Sequence, residues 1–448
     1  MQVAVVKSAQ IEDLSHDGRG VARIDGKVVF IEGALPGEDV QFEITRQKKD
    51  FDEGRTLEVL KSSPYRQEPA CPHFGVCGGC SLQHLSSEGQ LFYKNRHWLS
   101  LMEKMGGGAP DNLLDPLQAD VWNYRRKARL GVKFDAKKQK TLLGFRKKHY
   151  PQYLVDMQDC LILEKPFQDQ LPKLQNLLNQ LPSKASIAQI ELAVGDDVAL
   201  VFRHLKPLFD DDLQLLNDFG KDTGFKIYLQ AKGPTSLSLL YPKDASFSMQ
   251  FPLIDAKAHI TFEPLDFIQI NARLNETMLA QALHLLDLNP RDVVLDLFCG
   301  LGNFTLPLAR KVKKVYGVEG VAPMIERAKQ NALSQGFTNI DFSVADLQQI
   351  SSVQALESLP FNKVLLDPPR DGALAVVEGM GKLNPERIVY VSCHPATLAR
   401  DAAILRQQFG YRMHCGGIMD MFPHTNHIES MALFVKDNNG QSQGNIRI

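Results

Sequence analysis

The carboxyl-terminal part of the chain predicts a doubly wound α/β domain, preceded by a small β-barrel and a mixed α+β middle. Three observations predict this. From about residue 266 onward, apolar strand-like runs alternate with helical patterns, as in repeated βαβ units. The run Val293-Val-Leu-Asp-Leu leads into Cys299-Gly-Leu-Gly, a buried strand followed by a glycine turn. The first sixty or so residues hold short strand-like runs separated by turn dipeptides. The domains read along the chain are 1–62, 63–265 and 266–448.

Bulk properties exclude several classes. The 448 residues suffice for two to four domains, and the composition is that of an ordinary globular protein. The start Met1-Gln-Val-Ala-Val-Val lacks the basic and apolar regions of a signal peptide, and no apolar run reaches membrane-spanning length. Seven cysteines, an odd count, do not suggest a secreted disulfide framework, so the expected compartment is the cytoplasm. The expected oligomeric state is a monomer. A net charge of -1 argues against a uniformly basic nucleic-acid binder. It conceals a local excess, because Arg125 to Lys148 holds eleven basic residues against Asp135 alone.

In the first domain, strands are expected at 3–6, 20–24, 27–31, 39–44 and 55–59, with turns at Asp25-Gly26 and Pro36-Gly37. Five short strands suit a small barrel, the alternative being a hairpin appendage of the next domain. Residues 63–80 are too rich in Pro, Gly and Cys for regular structure. There Cys71-Pro-His-Phe-Gly-Val-Cys77-Gly-Gly-Cys80 clusters three thiols, and Cys160 follows at a distance. Four thiolates suit zinc or an iron–sulfur cluster, and spacing leaves both open. Beyond this come a basic strand after Tyr124, an amphipathic helix over 167–181, and a strand pair at 190–194 and 198–202. The polar tail 438–448 is expected to fray.

The glycine turn reads as a cofactor loop. Gly300 and Gly302 allow close backbone approach to a ligand, while Thr305 at the third position departs from the G-x-G-x-x-G of pyrophosphate binders. Glu319 ends the next strand, where a carboxylate can accept from both ribose hydroxyls. Asp346 ends the one after, placed for an adenine edge. A glycine loop with two acids on successive strand ends fits S-adenosylmethionine better than NAD.

Substrate chemistry is expected at the same carboxyl edge of the sheet. Asp367, in Asp367-Pro-Pro-Arg, follows a fourth strand and either orients a polar substrate or caps its own backbone. Cys393 ends the run Ile388-Val-Tyr-Val-Ser and precedes a helix start at Pro395, a setting expected to favour thiolate. Glu429, where a polar loop enters the last strand, is either a general base or a solvated strand-edge glutamate. One thiol and one base beside a methyl sulfonium are what C5 methylation of a pyrimidine requires. Thiolate addition at C6 makes C5 nucleophilic, and a base later removes the C5 proton. Cys299 and Cys415 read as small core or surface residues.

Asp296-Leu-Phe-Cys-Gly-Leu-Gly-Asn-Phe, Asp367-Pro-Pro-Arg, Ser392-Cys-His-Pro-Ala-Thr-Leu-Ala-Arg-Asp401 and His427-Ile-Glu429 together resemble the RNA 5-methyluridine methyltransferases. The resemblance implies Cys393 as nucleophile and Glu429 as base. Gln269, Phe298, Asn303, Glu319, Asp346 and Asp367 would form the pocket for S-adenosylmethionine and substrate. His394 departs from the asparagine of many members, which bears on fine positioning. The pattern Cys-Pro-x-Phe-Gly-x-Cys-Gly-Gly-Cys implies a [4Fe-4S] cluster on Cys71, Cys77, Cys80 and Cys160. The first sixty residues resemble a TRAM domain, an OB-like RNA-binding barrel. Barrel, cluster and Rossmann-like methyltransferase in this order resemble the members that act on 23S ribosomal RNA. The Arg125 to Lys148 stretch would then make phosphate contacts, its alternative being a solvated strand face.

Overall fold

The computed structural model describes residues 6–436. The expected strand at 3–6 therefore lies outside the described residues except for Val6, and so does the tail from 437 on. The chain folds into two compact units, neither continuous in sequence. One gathers Met1–His97, Asp120–Phe247 and Phe422–His427; the other gathers Trp98–Ala119, Ser248–Met421 and Ile428–Ile448.

The first unit carries two six-stranded sheets. Its amino-terminal sheet runs in the order Val6–Gln10, Asp39–Gln47, Phe51–Lys61, Lys27–Glu32, Gly20–Ile24 and Asp13–Leu14. Alternation along these strands buries Ala22, Val29, Ile31, Val40 and Phe42 in one core. Asp25-Gly26 forms the expected tight turn, both residues at positive φ. Buried Glu38 ties this sheet to the segment that follows. Burial alone would raise its carboxyl, but the Arg66 guanidinium and the amides of Leu35 and Ser63 hold it below the usual range.

The other sheet of this unit orders Leu237–Tyr241, Lys226–Gln230, Val198–His204, Ile187–Val194, Lys127–Asp135 and Lys140–Gly144. The expected helix over 167–181 is two helices, Lys165–Gln168 and Leu171–Gln180. Pro172 explains the break, since proline is accepted in a first helical turn and lacks the amide a continuous helix needs.

The second unit is built on an eight-stranded sheet in the order Ile340–Val344, Lys314–Glu319, Val293–Leu297, Lys363–Leu366, Arg387–Ser392, Glu429–Lys436, Tyr411–Met419 and Asn112–Leu113. The first five strands are parallel, and Glu429–Lys436 runs antiparallel to Arg387–Ser392. Val293–Leu297 lies between Lys314–Glu319 and Lys363–Leu366, so strand order reverses there. Such a switch point opens a crevice at the carboxyl ends of the strands. Among the described residues no helix is long and apolar enough to cross a membrane.

Candidate active site

The glycine loop leaves Val293–Leu297 through Phe298, whose φ of 64° is unusual for a residue with a side chain. Gly300 (φ 56°) and Gly302 (φ 94°) complete a turn that only glycine adopts without strain. The following helix is Thr305–Ala309. Asn303 exchanges two side-chain hydrogen bonds with Asn275, 2.9 and 3.0 Å, which fixes the loop to the helix Ala272–Leu286.

Glu319 ends its strand as expected and closes the loop. Its carboxylate accepts from the Gly300 amide at 3.3 Å and the Val321 amide at 3.0 Å. Gln269 is half-buried in the turn before Asn271, the residue that caps the helix Ala272–Leu286. Asp346 lies two residues beyond Ile340–Val344, exposed, where its Oδ1 accepts from the Gln348 amide.

Sequence reasoning passed over Asp296. It is a carboxyl inside an apolar strand, 1% exposed. Burial, then Asp367 and Glu319, push it up to about 7, against the lowering effect of a Thr305 hydroxyl that donates at 2.5 Å. Its Oδ1 is buried without a protein partner. The signal was one acid in Val-Val-Leu-Asp-Leu, which has no place in a purely structural strand. The glycine cradle, the acid at the next strand end and this orphaned oxygen together suit S-adenosylmethionine.

Sheet register assembles the chemical groups. Ser392 pairs with Ser430 across the antiparallel strands, so the next residues outward are Cys393 and Glu429. Leu366 pairs with Tyr390 and with Leu297, which brings Asp367 to the same edge, its amide donating to the Leu297 carbonyl. Two carboxyls and a thiol therefore crowd one crevice. Burial, then Asp367, raise Glu429 to about 8, partly opposed by Arg370. Burial raises Asp367 to about 7.

Cys393 follows its strand and precedes the helix Pro395–Phe409, as expected. The expectation of a thiolate there does not hold in the ligand-free protein. Burial, Glu429 and Asp367 push its thiol up to about 12, and Arg370 only partly opposes them. The dipole of one helix is smaller than desolvation plus two nearby carboxyls. Arg370, whose charge favours ionisation of both Cys393 and Glu429, is the second group that sequence reasoning passed over. His394 caps the same helix, its Nδ1 accepting from the Thr397 amide at 3.4 Å. Cys299 and Cys415 are buried, 4% and 3% exposed, in line with core roles.

In the first unit, Cys71, Cys77, Cys80 and Cys160 line one pocket with Phe145 and Met157. Burial and neighbouring thiols raise Cys80 to about 11 and Cys160 to about 12. Among the described residues, no three His, Cys, Asp or Glu side chains are arranged around a single-ion position. The basic stretch does not form one exposed surface. Arg126 is buried, 3% exposed, which removes it from the phosphate contacts expected of it. Arg129, Lys137 and Lys138 are exposed, Arg129 paired with Glu191 at 3.0 Å.

The chain matches the model of the tRNA (uracil-5-)-methyltransferases over residues 122–437 and that of the TRAM domain over residues 3–57. It is 49% identical over 431 residues to the 23S rRNA (uracil(1939)-C(5))-methyltransferase RlmD of Legionella pneumophila (strain Lens), covering 96% of this chain and 97% of that protein. The RlmD of Xanthomonas campestris pv. campestris (strain 8004) is 49% identical over 430 residues, 95% of this chain and 96% of its own. In fold it is similar to the Pyrococcus abyssi tRNA (uracil-54, C5)-methyltransferase solved with S-adenosyl-L-homocysteine. That match has a TM-score of 0.73 at 22% identity, over 96% of this chain and all of that one. An amino-terminal TRAM domain and an S-adenosylmethionine-dependent methyltransferase fold, joined in one chain, make this protein a member of the RNA uracil-C5 methyltransferase family.

Proposed function

We propose that the protein methylates C5 of uracil 1939 in 23S ribosomal RNA, the reaction named for its relatives. The observation that carries the reading is the strand register that sets Cys393 beside Glu429, with Asp367 on the neighbouring strand end. Cys393 adds to C6 of the uracil, which makes C5 a carbon nucleophile. Phe298, Asn303, Glu319, Gln269 and Asp346, around the Gly300–Gly302 turn, would hold S-adenosylmethionine, which would supply the methyl group. Glu429 then takes the C5 proton, and elimination frees the thiol. A carboxyl raised to about 8 suits this duty, because it both accepts and releases a proton near neutral pH. Asp367 orients the polar edge of the uracil.

The thiol of Cys393 must lose its proton before it attacks. Burial, Glu429 and Asp367 resist that loss, and the Arg370 charge favours it. We read the four thiols as ligands of a [4Fe-4S] cluster that holds the segment 71–80 in place. An all-thiol donor set suits iron–sulfur chemistry. The division 1–62, 63–265 and 266–448 gives the functional parts: RNA-binding barrel, cluster-bearing RNA-binding middle and methyltransferase.

The decisive experiment uses 23S fragments carrying 5-fluorouridine at the target. Wild-type protein forms a covalent adduct, Cys393→Ala binds S-adenosylmethionine and forms none, and Glu429→Gln accumulates the complex with natural RNA. An adduct in the Cys393 variant overturns the assignment. Preferred modification of tRNA would move the same chemistry to a different substrate.

A further inference from the structure

The loop that follows Asp367 is tied down by a carboxylate that the reaction itself does not use. Asp401, in the helix Pro395–Phe409, is completely buried. Its Oδ2 accepts from the Tyr390 hydroxyl at 2.7 Å and from the Ala373 amide at 2.9 Å. Its Oδ1 accepts from Arg400, at 2.8 Å from Nε and 2.7 Å from Nη2. Arg400 also donates through Nη2 to the Asp371 carbonyl at 3.0 Å. Thr397, one turn earlier, donates its hydroxyl to the Arg370 carbonyl at 3.2 Å.

These contacts converge from three directions. Tyr390 lies three residues before Cys393 on its strand. Asp401 and Arg400 lie on the helix that begins immediately after Cys393. Asp371 and Ala373 close the loop that carries Asp367 and Arg370. Gly372 shows how tightly the loop is held, for a Cβ there would lie 2.7 Å from Arg400 Nη2 and 2.8 Å from Asp401 Oδ2. A charge this deep is retained only when fully bonded, and this one has four donor contacts.

We propose that Asp401 and Arg400 are positioning residues that clamp the Asp367–Arg370 loop to the strand and helix flanking Cys393. The clamp sets which charges surround the nucleophile. With it intact, the Arg370 backbone is held through its carbonyl, and the Arg370 charge opposes the two carboxyls that suppress ionisation of Cys393. With it broken, that opposition weakens, while Cys393 is still anchored through its neighbour Ser392, which pairs with Ser430.

The proposal rests on Cys393 being the nucleophile, and its test separates the two ideas. The variants are Arg400→Gln, Arg400→Lys and Tyr390→Phe; Asp401→Asn serves as a fourth if it folds. The first readout needs no RNA: alkylation of Cys393 by iodoacetamide against pH, followed on the Cys393 peptide by mass spectrometry. Arg400→Gln is expected to move this profile to higher pH, and Arg400→Lys to restore it in part. The second readout is the rate of adduct formation on 5-fluorouridine RNA. It should fall on the order of 100-fold in Arg400→Gln, the scale of a displacement of about 1 Å at a reacting group, with S-adenosylmethionine affinity unchanged. A folded Arg400→Gln protein with the wild-type alkylation profile overturns the clamp, whatever the RNA result. A shifted profile in a protein whose wild type forms no adduct supports the clamp and overturns the methylation reading.

Discussion

Asp296 has two features rarely found together: almost complete burial and a carboxyl oxygen that no protein group satisfies. Burial pushes its carboxyl up to about 7, from 3.8 in a free chain. A raised carboxylate contributes most at low pH, and that contribution is lost as pH rises through the folded value. At about 1.4 kcal/mol per unit, ionisation costs the fold a few kcal/mol by pH 8. Asp296→Asn is therefore expected to raise the melting temperature of the ligand-free protein, more at pH 8 than at pH 5. It should also weaken S-adenosylmethionine binding. Equal shifts at both pH values would mean that the carboxyl is not strained by burial. The placement of Cys393, Glu429, Asp367 and Glu319 at one sheet edge was legible in sequence, because each ends, begins or directly follows a strand there. Asp296 and Arg370 were less so. Their importance depends on distances to groups remote in sequence, which spacing along a chain does not encode.

At the scale of elements, Lys127–Asp135 shows what strand alternation does to a charge run. Arg125 to Lys148 looks like one basic surface in sequence, yet the pleat sends successive residues to opposite faces. Along the strand it turns Ala128, Leu130 and Val132 inward and Arg129 and Lys133 outward, while Arg126, one residue before the strand, is buried. Lys137→Gln with Lys138→Gln is expected to weaken RNA binding and flatten its salt dependence by roughly one to two counterions. Arg126→Ala should instead lower the melting temperature, with no change in the salt slope of the protein that remains folded. Filter binding between 50 and 200 mM salt, the range over which phosphate contacts change affinity most clearly, distinguishes the two. The broken helix at Pro172 has a similar lesson. Apolar periodicity ran unbroken over 167–181, but a single missing amide decided where the turn stopped.

For the whole molecule, long-range organisation follows from segments too short to announce themselves. The two-residue strand Asn112–Leu113 completes the eight-stranded sheet from nearly two hundred residues upstream of Val293, pairing with Cys415 and Gly416. No hydrophobic pattern spans two residues, so a linear reading has nothing to detect. The four thiols show the opposite case: cysteine clustering is visible in sequence, and the fold brings Cys160 to the other three across eighty residues. Protein purified without oxygen is expected to hold about four irons per chain, and Cys160→Ser to lose most of them. Stoichiometric zinc in place of iron would replace the cluster with a structural metal ion.

The pairing of Ser392 with Ser430 has a consequence for how activity is gained or lost. Cys393 directly follows one strand and Glu429 begins another, and alignment of those strands brings them together. A slip of one residue would turn Glu429 to the opposite face of the sheet and leave Cys393 where it was. Such a protein would still add to uracil but could not complete the exchange, and would remain bonded to its RNA. On the proposed roles, alignment of these two strands decides whether the protein can release its RNA after attack.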